Sequence, residues 1–144
     1  MNANYSESYI NDILKKVKTI AVVGASSKKE RDSYKVIQSL LTKGYKVFPV
    51  NPNERNKIIL GQKCFANLKN IQEDVDMVDV FRAKEAIMEV TKQSIDIGAK
   101  VLWMQEGLIS KEAANLAQSA GLKVVMDRCP KKELSKPYWT SQTK

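Results

Sequence analysis

The sequence predicts a doubly wound α/β domain, a five-stranded parallel sheet between two helical layers (α/β/α) with an extra helix at the amino terminus. Three observations carry this. First, Gly44-Tyr-Lys-Val47, Gly98-Ala-Lys-Val101 and Gly121-Leu-Lys-Val124 repeat one junction, in which a glycine closes an amphipathic segment and Lys-Val opens an apolar one. Glycine reaches the left-handed conformation that ends a helix, and a basic residue there suits the helix dipole. Second, Thr19-Ile-Ala-Val-Val and Val124-Val-Met are short continuous apolar runs, the pattern of strands buried on both faces. Third, strands alternate with helices, which gives parallel βαβ units with right-handed crossovers.

The elements follow in order. A first helix runs from about residue 8, with Tyr9, Ile10, Ile13, Leu14 and Val17 on its apolar stripe, and Thr19–Val23 is the first strand. Ser33 is placed as the N-cap of the next helix, in which Val36, Ile37, Leu40 and Leu41 share a face. The second strand is Lys46–Val50. Pro49 lacks a ladder donor and suggests a bulge there. Residues 51–70, with Pro52 and Gly61, replace a crossover helix by a loop with a short turn. Strands at 76–81, 100–104 and 123–126 alternate with two helices. Ala83, Ala86, Ile87, Val90 and Ile97 line one; Ala113, Leu116, Ala117 and Ala120 line the other, behind an N-cap at Ser110. The chain reads as one domain over residues 1–144, with its core at about 15–133. Residues 134–144 read as a polar surface tail on which Tyr138 and Trp139 can dock.

Composition narrows the chemistry. The 144 residues include no histidine, which removes imidazole acid–base catalysis, His-activated Ser or Cys nucleophiles, phosphohistidine and His-ligated zinc. No metal site and no catalytic constellation is legible, so the sequence leans toward binding without chemistry. No apolar run approaches the roughly 20 residues of a membrane helix, and the first residues lack a secretory apolar region. A cytoplasmic protein with Cys64 and Cys129 reduced is expected. The net charge of +8 is uneven: residues 1–50 carry nine basic and four acidic side chains, residues 51–100 eight of each. Nucleic-acid binding is not expected, because neither a recognition helix nor a basic stripe with interleaved aromatics is present. A homodimer is compatible with so small a chain, but no interface is legible.

Ligands of open α/β sheets bind beyond the carboxyl ends of the strands, where strand order reverses. The first such end reads Gly24-Ala25-Ser26-Ser27-Lys28, followed by Lys29, Arg31 and a helix start. Small residues let backbone N–H groups approach a phosphate, and the cations and helix dipole favour it. The loop has one glycine where the dinucleotide fingerprint has three. The second strand ends Val50-Asn51-Pro52 with no carboxylate for ribose hydroxyls, and Glu54 comes beyond it, so plain NAD is disfavoured. Arg55 and Lys57 suit a ribose phosphate, of NADP or of coenzyme A, and the residues alone do not separate the two. The other strand ends offer Phe81, Arg82, Gln105, Glu106, Gly107, Asp127 and Cys129. Arg82, a cation at a helix start, suits an anion. Asp127 reads equally as a cap, a partner of Arg128 or a ligand contact. Cys129, beside Arg128, is a candidate for a mixed disulfide with CoA, and Cys64 reads as an ordinary loop or edge residue.

Taken together, Val22-Val-Gly-Ala-Ser26, Arg31-Asp-Ser-Tyr34, Gly44-Tyr-Lys-Val-Phe-Pro-Val-Asn-Pro52, Val75-Asp-Met-Val-Asp-Val-Phe81, Ile97-Gly-Ala-Lys-Val-Leu-Trp-Met-Gln105 and Val125-Met-Asp-Arg-Cys129 resemble the small stand-alone CoA-binding proteins. These are similar in fold to the N-terminal CoA-binding domain of the succinyl-CoA synthetase alpha subunit. The resemblance spans about residues 15–133. It implies a Rossmann-type domain that binds coenzyme A or an acyl-CoA without known chemistry of its own. By position, Gly24, Ala25, Ser26, Ser27, Lys28 and Arg31 would cradle the phosphates, and Ser33 and Tyr34 would line the helix start. Val50, Asn51 and Pro52 would pack near the nucleotide, with Phe81, Arg82, Gln105, Glu106 and Gly107 along the rest of the ligand. Two departures stand out: family members often carry a hydrophobic residue where Glu106 stands, and a histidine commonly ends the segment after Asp-Arg-Cys, where this chain has none. The synthetase's phosphohistidine domain is absent from the sequence. The alternative reading is an NADP-dependent oxidoreductase or NADP-binding module.

Overall fold

In a computed structural model, which describes residues 5–140, three glycine junctions end three helices. The elements run α1 (Glu7–Lys16), β1 (Thr19–Val23), α2 (Asp32–Thr42), β2 (Lys46–Val50), β3 (Ile58–Ile59), β4 (Gln62–Lys63), β5 (Met77–Val80), α3 (Ile87–Asp96), β6 (Val101–Met104), α4 (Lys111–Ser119), β7 (Lys123–Val125), α5 (Pro130–Glu133) and α6 (Pro137–Thr140). Gly44, Gly98 and Gly121 have φ of 96°, 78° and 94°. The next N–H in each case reaches back to the helix, as Tyr45 does to the Leu40 carbonyl at 3.1 Å. This is the Schellman closure that the Gly-x-Lys-Val pattern implied.

Five parallel strands form the sheet in the order β2-β1-β5-β6-β7. Alternation along each strand sorts side chains to two cores. Ile20, Val22, Met77, Val101 and Trp103 meet α1, α2 and Leu134 on one face. Ala21, Val78, Val80, Leu102 and Met104 meet α3 and α4 on the other. The sheet is therefore covered on both sides, as its unbroken apolar runs require. The core reaches beyond 15–133: Ile10, Ile13 and Leu14 are buried at one end and Leu134 at the other. Trp139 packs against this core and donates from Nε1 to Asn11 Oδ1 at 3.0 Å. Residues 141–144 of the expected tail lie outside the described residues.

Local differences from the sequence reading have physical causes. Ser33 is not the N-cap of α2. Arg31 is, without a side-chain cap bond, and Ser33 is buried one residue inside the helix. Ser110 does cap α4, accepting from the Ala113 N–H at 3.1 Å. Pro49 needs no bulge, because β2 is an edge strand in regular register with β1. The Lys46 N–H turns toward β1, whereas the Pro49 carbonyl turns outward to accept from Phe65 N–H at 2.9 Å, so the missing donor also faces outward. Residues 51–70 hold more than a turn: two 3-10 turns flank the antiparallel pair β3–β4. Cys64 follows β4 in a connecting segment, as expected, and is fully buried there. Among the described residues no helix is long and apolar enough to cross a membrane.

The far strand β7 is held from its open side by tyrosines of the amino-terminal segment. Tyr9 Oη donates to the Val124 carbonyl at 2.9 Å and accepts from the Val124 N–H at 3.3 Å, and Tyr5 Oη accepts from the Met126 N–H at 2.8 Å. Burial raises the Tyr9 phenol pKa, so it stays protonated and able to donate. Tyr9→Phe leaves a backbone pair of β7 without its partner, and is expected to lower stability by about 1–2 kcal/mol. Urea unfolding should show this as a lower midpoint at unchanged slope.

Candidate functional site

Strand order reverses between β1 and β5, and the carboxyl ends of these two strands meet closely. Gly24 follows β1 with φ of 95°, and a Cβ built there would lie 2.0 Å from the Phe81 carbonyl oxygen. The Phe81 N–H donates to the Val23 carbonyl at 2.7 Å. On the other side, the Val50 carbonyl accepts from both Gly24 N–H (2.9 Å) and Ala25 N–H (3.2 Å). These two amides are thus spent on β2 and are not free to hold a phosphate, contrary to the sequence expectation. Asn51 is spent in the same way, donating from Nδ2 to the Ala25 carbonyl at 2.9 Å and accepting Asn53 N–H at Oδ1.

What remains for an anion is the start of α2. Its first N–H groups have no intrahelical partner and its N-cap Arg31 offers no side-chain acceptor. A cavity of about 440 Å³ opens there, lined by Gly24, Ala25, Ser26, Lys28, Arg31, Asp32, Ser33, Asn51, Asn53, Glu54 and Phe81. Lys28 and Arg31 are exposed at its mouth. Glu54, distant in the sequence reading, is folded into this wall by the 3-10 turn at Pro52–Glu54. The Ser27 hydroxyl beside it holds its carboxyl below the usual range, with help from Lys57, whose Nζ lies 3.6 Å from Oε1. Ser27, engaged with Glu54, is not among the residues that line the cavity.

Two smaller cavities flank the first. One of about 240 Å³ has Val23, Val50, Pro52, Arg82 and Ala86 in its wall. The other, about 270 Å³, shares Asp32 and Phe81 with the first and adds Gln105, Glu106 and Cys129. The fold thus gathers most of the predicted residues along one rim. It leaves out Tyr34, which packs against the core, and Gly107, whose N–H donates to Asp127 Oδ1 at 2.7 Å. Arg55 and Lys57 line none of the three cavities. Arg128 turns from Cys129 toward Glu133 at 3.4 Å and the Tyr5 ring.

Beneath the rim, Asp79 on β5 is fully buried, and burial alone pushes its carboxyl well above the ordinary carboxylate range. With the Gln105 amide nitrogen turned inward, it donates to Asp79 Oδ1 at 2.9 Å and Oδ2 at 3.1 Å. Periodicity could not separate Asp79 from a solvent-facing residue. Its signal was position, in the middle strand of an apolar sheet.

This geometry can be set beside known proteins. The CoA binding domain family matches residues 18–135. The chain belongs to that family. An uncharacterised protein of Bacillus subtilis, YneT, is 38% identical over 128 residues, 89% of this chain and 93% of YneT. A hypothetical protein from Pyrococcus horikoshii has a solved structure that superposes with a TM-score of 0.86 at 40% identity, covering 91% of each chain. An ADP-forming acetate–CoA ligase of Archaeoglobus fulgidus is 31% identical over 85 residues, 58% of this chain but only 12% of the ligase. The similarity thus reaches one small part of that enzyme.

Two outcomes test the site's architecture. Gly24→Ala combines a left-handed backbone with a clash against fixed main chain, and should cost more than about 3 kcal/mol in thermal or urea unfolding. Asp79 has a folded pKa above its unfolded one, so the stability it allows is complete below pH 4 and falls as pH rises toward the folded value. Against Asp79→Asn, wild-type stability should drop by about 1.4 kcal/mol per pH unit above about pH 4.5, measured by urea titrations across pH.

Proposed function

We propose that the protein binds coenzyme A or an acyl-CoA and performs no chemistry on it. The carrying observation is the uncapped start of α2, opening into a cavity with Lys28 and Arg31 and flanked on each side by a further cavity. The diphosphate suits the α2 start, where unpaired N–H groups, the helix dipole and two cations all favour an anion. The adenine suits the apolar wall of Val23, Val50 and Pro52, with Arg82 there for the 3′-phosphate. The pantetheine arm then runs past Phe81 toward Gln105 and Cys129. Family membership supports coenzyme A over NADP as the ligand. With no histidine in the chain, no imidazole can serve as an acid or base along this rim.

Isothermal titration should give a micromolar dissociation constant for CoA, at least about tenfold tighter than for NADP. Lys28→Ala with Arg31→Ala should weaken CoA by tenfold or more, since charge-assisted hydrogen bonds are worth about 1.5–3 kcal/mol each. Failure of CoA to bind at several hundred micromolar rejects the reading, and tight NADP binding with weak CoA binding favours the oxidoreductase class.

A further inference from the structure

The cavity at the Cys129 end carries a charge pattern that a free pantetheine thiol does not explain. Besides Phe81, Gln105 and Cys129, its wall includes Lys35 of α2 and Lys131 and Lys132 of α5, with Asp32 and Glu106 as the acidic members. Lys132 is committed: its Nζ lies 2.9 Å from Glu106 Oε1. Among the described residues, Lys35 and Lys131 are in no ion pair with a side chain of this wall, and both are exposed to solvent. Lys35 and Lys131 are therefore balanced within this wall only by Asp32, whose charge also acts on Lys132 and sits at the start of α2, where the helix dipole favours it. The floor is apolar, with Val36 and Phe81.

We propose that this cavity selects the acyl group, and that the preferred ligands are CoA thioesters whose acyl chain ends in a carboxylate, the half-thioesters of short dicarboxylic acids. This rests on the CoA reading above, which places the sulfur end of the ligand at Cys129. The thioester carbonyl then lies near Gln105, the methylene chain crosses Val36 and Phe81, and the terminal carboxylate meets Lys35 and Lys131. An acyl chain ending in a methyl group would instead bring an apolar end between two hydrated cations and gain nothing from them. The cavity volume of about 270 Å³ suits a chain of a few carbons.

The test compares two four-carbon thioesters, succinyl-CoA and butyryl-CoA, with free CoA as reference, by isothermal titration at low ionic strength. Wild-type protein should bind succinyl-CoA about tenfold more tightly than butyryl-CoA, the increment that two solvent-accessible ion pairs supply. In the double variant Lys35→Gln, Lys131→Gln the ratio should fall to about one, and in Lys131→Glu it should invert. Both positions are on the surface, so the variants keep the fold, and near-ultraviolet circular dichroism checks this. A wild-type ratio of one or below, alongside tight binding of free CoA, overturns this inference and leaves the CoA reading intact. A ratio that survives in the double variant overturns it as well. Wild-type protein that binds none of the three overturns the CoA reading and this inference together.

Discussion

The contact between Gly24 and the Phe81 carbonyl is the constraint around which the site is arranged. With a Cβ excluded at 2.0 Å, the end of β1 can lie directly against the end of β5. The Val50 carbonyl then collects the Gly24 and Ala25 amides from the other side. Three strand ends are thereby locked to one another before any ligand is considered. The direction in which the chain leaves β1 follows from that lock, and so does the position of α2, whose uncapped start is left facing the rim. The fold spends the loop's own amides on rigidity and leaves the first N–H groups of α2, beside Lys28 and Arg31, without an intrahelical partner.

Much of the architecture was legible because it rests on local rules. Glycines that end helices, apolar runs that become covered strands, and Ser110 as a cap all depend on a few neighbouring residues. Errors arose where the outcome depends on distant ones. Ser33 has the right chemistry for a cap, but the helix already starts at Asp32 and Ser33 is buried within its first turn. Pro49 reads as a defect until the strand order puts β2 at an edge. Glu54 lies beyond the strand end in sequence, yet the 3-10 turn folds it back into the cavity wall.

The same limit applies to the site residues. Gly24, Ala25 and Asn51 lie at the rim, but the Gly24 and Ala25 amides and one Asn51 side-chain donor are already used within the protein. Spacing shows where a residue falls, not whether its donors are free. Asp79 makes the complementary point. A carboxyl with no exposure, held by a neighbouring amide, costs desolvation that a leucine would avoid. Its position one layer under Gln105 links that cost to the orientation of a rim side chain.

The tyrosines over β7 have a consequence beyond the energy of their bonds. An uncovered outer strand is a template on which another chain can add, the route by which sheets grow into fibrils or swap segments. Here Tyr5 and Tyr9 occupy the amide and carbonyl positions an incoming strand would need. At the opposite side, the Phe65 N–H covers the outward Pro49 carbonyl of β2, and the Phe65 carbonyl accepts from the Asn51 N–H just beyond it. Both outer strands of the five-stranded sheet are thus partly covered from within the chain, which works against its extension by a further strand.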